Sequence, residues 1–231
     1  GVSSCSGVVS EAGIVPRLGA VITASVVLPD LTPPITTASY AATPGSNGWY
    51  RSGVMVTLTA LDNPGGSGLD RTFYAVDEPA CSPTGAGSCL TYTGPFSLAA
   101  DRRHTLYFWS RDRAGNAEAR QSRALNIDAT PPAVTCSAQP SVLWPANHKL
   151  VPVTIAVQVS DATSGGGGFT LTGVTSSEPD NGTGDGDTTG DIAGFDVATP
   201  DTTGSLRAER AGSGQGRIYT LTYQAMDQAG N

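Results

Sequence analysis

Oxygen-bearing side chains suited to a hard cation are the residues of this 231-residue sequence with the clearest chemical meaning. Acids cluster between Glu178 and Asp201, where Asp185, Asp187 and Asp191 fall as D-x-D-x-T-G-D with Asp180 and Asn181 just upstream. Alternate residues of a glycine-relaxed loop turn their oxygens to one side, and calcium takes about six to eight oxygen ligands of this kind. The spacing departs from the helix-flanked calcium loop, because the closing bidentate glutamate would fall on Ile192 when counted from Asn181. Calcium therefore competes here with a plain solvated acidic loop. A second set is more dispersed. Asp62, Asp112 and Asp128 come from a loop, a turn and a linker that are expected to meet at one end of a first domain, as Asp161 and Asp227 would in a second. Calcium at such junctions would stiffen a rod, while the competing role is for each Asp to cap its own turn by side-chain hydrogen bonds.

Other chemistry is sparse. His104 and His148 are the two histidines, and neither has a nucleophile close in sequence, so no catalytic constellation is expected. Lys149 is the single lysine; it lies beside Asn147, the arrangement an internal Lys–Asn amide would need, although an ordinary surface lysine accounts for it as well. Trp49, Trp109 and Trp144 could stack on sugars, but Trp109 sits in the alternating run LYFWSRD, where core packing is expected. Asn181-Gly-Thr183 forms a glycosylation sequon. Cys81 and Cys89 flank a Pro/Gly/Ser loop in which a disulfide closes a short ring, and this places the chain in an oxidising compartment.

The elements that must position these groups read as strands. Gly (29) and Pro (16) stand among many Thr, Ser and Val, and only 14% of residues are charged, which suits short strands joined by many turns. A net charge of -7 offers no basic face for nucleic acid. No run of 18 apolar residues spans a membrane, and Gly1 reads as a processed or excised start.

Self-comparison fixes the organisation. Three landmarks recur in order. A D-x-T-P-P linker occurs at Asp30–Pro34 and at Asp128–Pro132. An alternating strand running into Asp and then Ser-Gly follows, as VMVTLTALDNPGGSG and VTIAVQVSDATSG. An aromatic strand running into D-x-A-G-N closes each copy, at Asn116 and at Asn231. Paired prolines stiffen an extended link, alternation buries every second side chain, and Ala-Gly-Asn offers a turn with positive φ. The expected architecture is all-β, with tandem immunoglobulin-like β-sandwich domains at 31–128 and 129–231 and a strand-bearing segment at 1–30. The span from Asp161 to Asp227 is 16 residues longer than that from Asp62 to Asp112, so the second domain carries an acidic insertion at about 176–201.

The linker, the D-x-x-S-G loop and the terminal D-x-A-G-N resemble the bacterial Ig-like and hyalin-repeat families of large extracellular proteins. The stretches GWYRSGVMVTLTALD, TGPFSL and HTLYFWSRDRAGN carry the likeness in the first domain, and VTCSAQPSVLWPANHKLVPVTIAV in the second. The resemblance implies a secreted or cell-surface protein with a spacer, filament or adhesive role and no active site; recognition of a glycan or protein through the loops is the alternative. It also implies one cysteine in the first strand of a domain and a partner shortly after the Gly-Asn turn. Cys136 holds the first of these positions.

Asn116 is followed by enough residues for a last strand before Asp128, whereas no such strand follows Asn231 in this sequence. The edge left open invites another segment. Three arrangements would supply it: the N-terminal segment of another copy added head to tail, with Cys5 meeting Cys136 between chains; the continuation of a longer polypeptide; or the N-terminal segment folding back on its own chain.

Overall fold

The computed structural model describes residues 29–84, 88–186 and 188–231, together with the backbone pairing of 2–9 and 20–27. All regular structure among the described residues is strand, as the composition and alternation require. The first strands, β1 (Val2–Val9) and β2 (Ala20–Val27), pair with each other as an antiparallel hairpin. Then come β3 (Ile35–Ala41), β4 (Trp49–Tyr50), β5 (Val54–Leu61), β6 (Leu69–Val76), β7 (Leu90–Thr91), β8 (Phe96–Leu98), β9 (Arg102–Asp112) and β10 (Gln121–Ile127). The second repeat supplies β11 (Ala133–Gln139), β12 (Leu150–Ser160), β13 (Gly166–Ser176), β14 (Ile192–Ala193), β15 (Thr203–Arg207) and β16 (Tyr219–Asp227).

Sheet order is β4-β10-β9-β6-β7 and β3-β5-β8 over the first repeat, and β11-β12-β15-β14 and β13-β16 over the second. Corresponding strands thus pair alike: β3 with β5 as β11 with β12, and β6 with β9 as β13 with β16. The partner on the far side of the aromatic strand differs. β9 has β10 on its other side, whereas β16 pairs only with β13 among the described residues.

By its contacts the chain divides into two compact units, one made of residues 1–41, 55–97 and 104–124, the other of 42–54, 98–103 and 125–231. In the first, Ala75, Cys81 and Trp109 form a buried cluster with Phe73 stacked on Trp109 at 4.2 Å. The Cys81–Cys89 disulfide is formed, with the two Cα atoms 5.1 Å apart and a sequence separation of 8. Closing so short a ring contributes about 2–3 kcal/mol on a chain-entropy account. In the second unit Val153, Ile155 and Leu206 are buried, with Leu221 and Tyr223 of β16 packed partly exposed against them. Leu106, which holds the place in β9 that Leu221 holds in β16, is fully buried. Apolar burial of about 25 cal/mol per Å2 is thus incompletely realised beneath β16.

Candidate functional site

Two sets of three aspartates converge, and they are built alike. Asp30, Asp62 and Asp112 each offer an oxygen within 4.8 Å of the other two, and so do Asp128, Asp161 and Asp227. The sequence grouped Asp128 with Asp62 and Asp112, and the structure corrects this: each set takes its linker aspartate from the linker that precedes the repeat. Strand parity is the reason. β9 ends at Asp112, and β10 then runs back for 7 residues, about 23 Å of extended chain, which puts Asp128 a strand length away.

An asparagine locks each set. Asn116 Nδ2 donates to the Asp30 carbonyl at 2.9 Å and to Asp112 Oδ2 at 2.7 Å, while its backbone N–H donates to Asp112 Oδ1 at 2.8 Å. Asn231 Nδ2 donates to the Asp128 carbonyl at 2.9 Å and to Asp227 Oδ2 at 2.9 Å, and its N–H to Asp227 Oδ1 at 2.9 Å. The serine loop enters in the same way: Ser67 N–H donates to Asp30 and Ser164 N–H to Asp128, at 2.7 and 3.1 Å. Gly68 N–H and Gly165 N–H donate to Asp62 and Asp161, at 2.6 and 3.2 Å. Gly115 and Gly230 take φ of 93° and 91° to turn the chain between aspartate and asparagine, a conformation that glycine adopts without a Cβ clash.

Three carboxylates this close repel, and backbone donors offset part of that cost. Ser67 and Thr32 N–H groups hold the Asp30 carboxyl below the usual carboxylate range. Burial pushes Asp161 up, but the N–H groups of Thr163, Ser164 and Gly165 outweigh it and leave its pKa lowered. The arrangement ties linker, loop and turn together and presents a compact set of hard oxygens, the donor type that calcium takes.

The acidic insertion is organised around its own cation. Asp180, Asp185 and Asp191 are drawn together, but Arg217 stands among them with a side chain 1% exposed. Its Nη2 donates to Asp185 at 2.7 Å, its Nη1 to Asp191, its Nε to Glu178 at 3.2 Å, and Nη1 also reaches Glu209 at 3.5 Å and Tyr219 OH at 3.3 Å. Arg207 Nε adds a bond to Asp191 at 3.1 Å. Burial works against the guanidinium, yet Tyr219, Glu178 and Asp191 raise its pKa. Burial also pushes the Glu209 carboxyl up, which the His148 ring at 3.2 Å opposes and Asp191 reinforces. Asp180 accepts the N–H groups of Asp191 and Gly190, which lower its pKa. Asn181 takes a positive φ of 64° in the turn, and Asp187 lies outside the described residues.

Sequence reasoning missed Glu178, Glu209, Arg207 and Arg217 as partners of this loop. The two arginines lie 16 and 26 residues beyond Asp191, and only the surplus of acids hinted that a cation must stand opposite. Of the remaining candidates, His104 is buried and bonded to Asp77 at 2.8 Å, and Lys149 is exposed. Trp49 and Trp109 are buried, which leaves Trp144 as the exposed tryptophan. Cys136 is an exposed free thiol, and the Cys5 side chain lies outside the described residues. No helix among the described residues is long and apolar enough to cross a membrane. No protein-family model and no curated protein matches the chain.

Proposed function

We propose that the chain is a non-catalytic structural segment of an extracellular filament, stalk or adhesin, made of tandem immunoglobulin-like modules that are held in series through their Asp-x-Thr-Pro-Pro linkers. The observation that carries this reading is the duplicated knot: in both repeats an asparagine side chain grips the backbone of the linker and the aspartate of its own turn. A spacer needs its linkers fixed to its modules, and it needs no pocket chemistry. Calcium is the ion proposed for the two aspartate triads, where it would neutralise the gathered carboxylates and stiffen the joints. Thermal melts of the full chain test this. Millimolar calcium is expected to raise the melting temperature by several degrees and chelator to reverse the rise, because a ligand held only by the folded form stabilises it. The double variant Asp112→Asn, Asp227→Asn should lose the response. A melt indifferent to calcium would remove the ion from the proposal.

That β16 pairs only with β13 among the described residues supports a second half of the proposal, in which copies assemble head to tail by strand addition. Cys5 of one copy would then meet Cys136 of the next. A ladder on a non-reducing gel that collapses with reductant is the expected result, and a strictly monomeric, free-thiol chain would sink that bond.

The alternative, a module that binds glycan or protein through its end loops, draws on the exposed Trp144.

A further inference from the structure

The chain makes one joint within its second unit and carries two unmatched halves of another. The joint that is made lies between the loop 42–54, which connects β3 to β5, and the turn Gln228–Gly230. Ser46 N–H donates to the Ala229 carbonyl at 2.7 Å, Asn47 Nδ2 to the Gln228 carbonyl at 2.9 Å, and Arg51 Nη1 to the Gly230 carbonyl at 2.9 Å. A Cβ at Gly45 would stand 2.5 Å from the Ala229 carbonyl oxygen, so glycine is what permits the approach. Ala229 is 0% exposed as a result.

Each half of this joint has a duplicate, and among the described residues neither duplicate is covered. The turn Arg113–Gly115 occupies the place in the first repeat that Gln228–Gly230 holds in the second, and it belongs to the same kind of knot. Its three residues are nevertheless all exposed. The loop Pro140–Lys149, between β11 and β12, stands where 42–54 stands in the first repeat, and each loop places a tryptophan shortly before the second strand. Trp49 is 4% exposed; Trp144 is 77% exposed, and Val142 beside it 73%. Beneath this loop lies a cavity of about 350 Å3 that reaches Val153, Leu206 and Leu221 in the core of the unit. Large apolar side chains left uncovered together, at the mouth of a cavity, mark a contact surface.

We propose that the Ser141–Ala146 loop and its cavity are the seat for the Arg113–Gly115 turn of a second copy of this chain. The occupant is identified by the joint the chain already makes: a loop of this position receives a D-x-A-G-N turn, and the turn that lacks a loop is the one at Arg113. Arg113 replaces Gln228 in that turn, and the exposed indole of Trp144 is the partner that a guanidinium at this place takes by cation–π attraction. Because seat and turn are different patches, the contact is heterologous and propagates. The inference rests on the head-to-tail assembly proposed above and names the surfaces that make it.

Sedimentation velocity on the full chain over a concentration series tests the assignment. The wild type is expected to self-associate, and Trp144→Asp or Ala114→Glu each to weaken association by about tenfold or more, as removal of a buried aromatic anchor does. Both positions are exposed, so melts matching the wild type should accompany the loss. An equimolar mixture of the two variants should stop at dimers, since one retains the turn and the other the seat. Association that neither variant weakens overturns the seat and leaves strand-mediated assembly standing. A mixture that does not dimerise overturns the pairing of these two patches, and a wild type that stays monomeric at every concentration overturns both proposals.

Discussion

Replacing Arg217 with alanine is expected to cost the second unit about 3–5 kcal/mol, the usual penalty for removing one partner of a buried charge network. The guanidinium reaches Glu178, Asp185, Asp191 and Glu209, and the side chains of the last three are almost wholly withdrawn from water, that of Glu178 partly so. Without it, Arg207 is the arginine that remains against these carboxylates, through Asp191 and at 4.0 Å from Glu209, with the His148 ring 3.2 Å from Glu209. Urea unfolding followed by far-ultraviolet circular dichroism measures the loss. It should be greatest near neutral pH and shrink on acidification, because the stranded carboxylates then take up protons and no longer oppose folding. Arg217→Lys should recover only part of the stability, since a point charge cannot make the several directed bonds of the planar fork. A loss under about 1 kcal/mol, typical of exposed pairs, would mean that the insertion holds its shape without the arginine.

Asp227→Ala is expected to cost about 2–4 kcal/mol, because partly buried donors lose the carboxylate that accepts from them. Three such donors converge on this carboxylate: Gly230 N–H at 2.7 Å, Asn231 N–H at 2.9 Å and Asn231 Nδ2 at 2.9 Å. Asp112→Ala should be of similar size, since Asn116 presents its N–H and Nδ2 to Asp112 in the same way. The isosteric Asp227→Asn separates two roles of the group. In chelator it should be milder than alanine, because a carbonyl oxygen still accepts and one of three neighbouring negative charges is gone. In calcium the asparagine variant should fall further behind the wild type. Equal behaviour in both conditions would leave Asp227 as a hydrogen-bond acceptor only.

Much of this fold was written in short-range pattern. The alternation in VMVTLTAL places Val54, Val56 and Leu58 inside and Met55 outside, and the burial of β5 follows it. The disulfide was legible because Cys81 and Cys89 lie in one loop. The repeat located all six triad aspartates in loops, turns and linkers, but which of them share an end depends on whether an odd or an even number of strands separates them. Asp30 went unread for that reason. Arg217 was hidden for another: its acidic partners lie between 8 and 39 residues away and belong to segments whose proximity is set by sheet pairing rather than by local spacing. The burial of Trp49 against the exposure of Trp144 likewise depends on what covers each loop, which no property of the tryptophan itself encodes.

The asparagine of the knot also determines where a pull on the chain is felt. Tension along an Asp-x-Thr-Pro-Pro tether arrives at Asp128, whose carbonyl is held by Asn231 and whose carboxylate is held by Ser164 N–H and Thr130 N–H. In the proposed spacer role the load would thereby be shared with the ends of β16 and of the β12–β13 loop before it reached β11, which would shield the first strand from being peeled off one hydrogen bond at a time. Asp30 is clasped in the same manner by Asn116, Ser67 and Thr32, so in the proposed spacer role each linker would take load through a clutch of the same design.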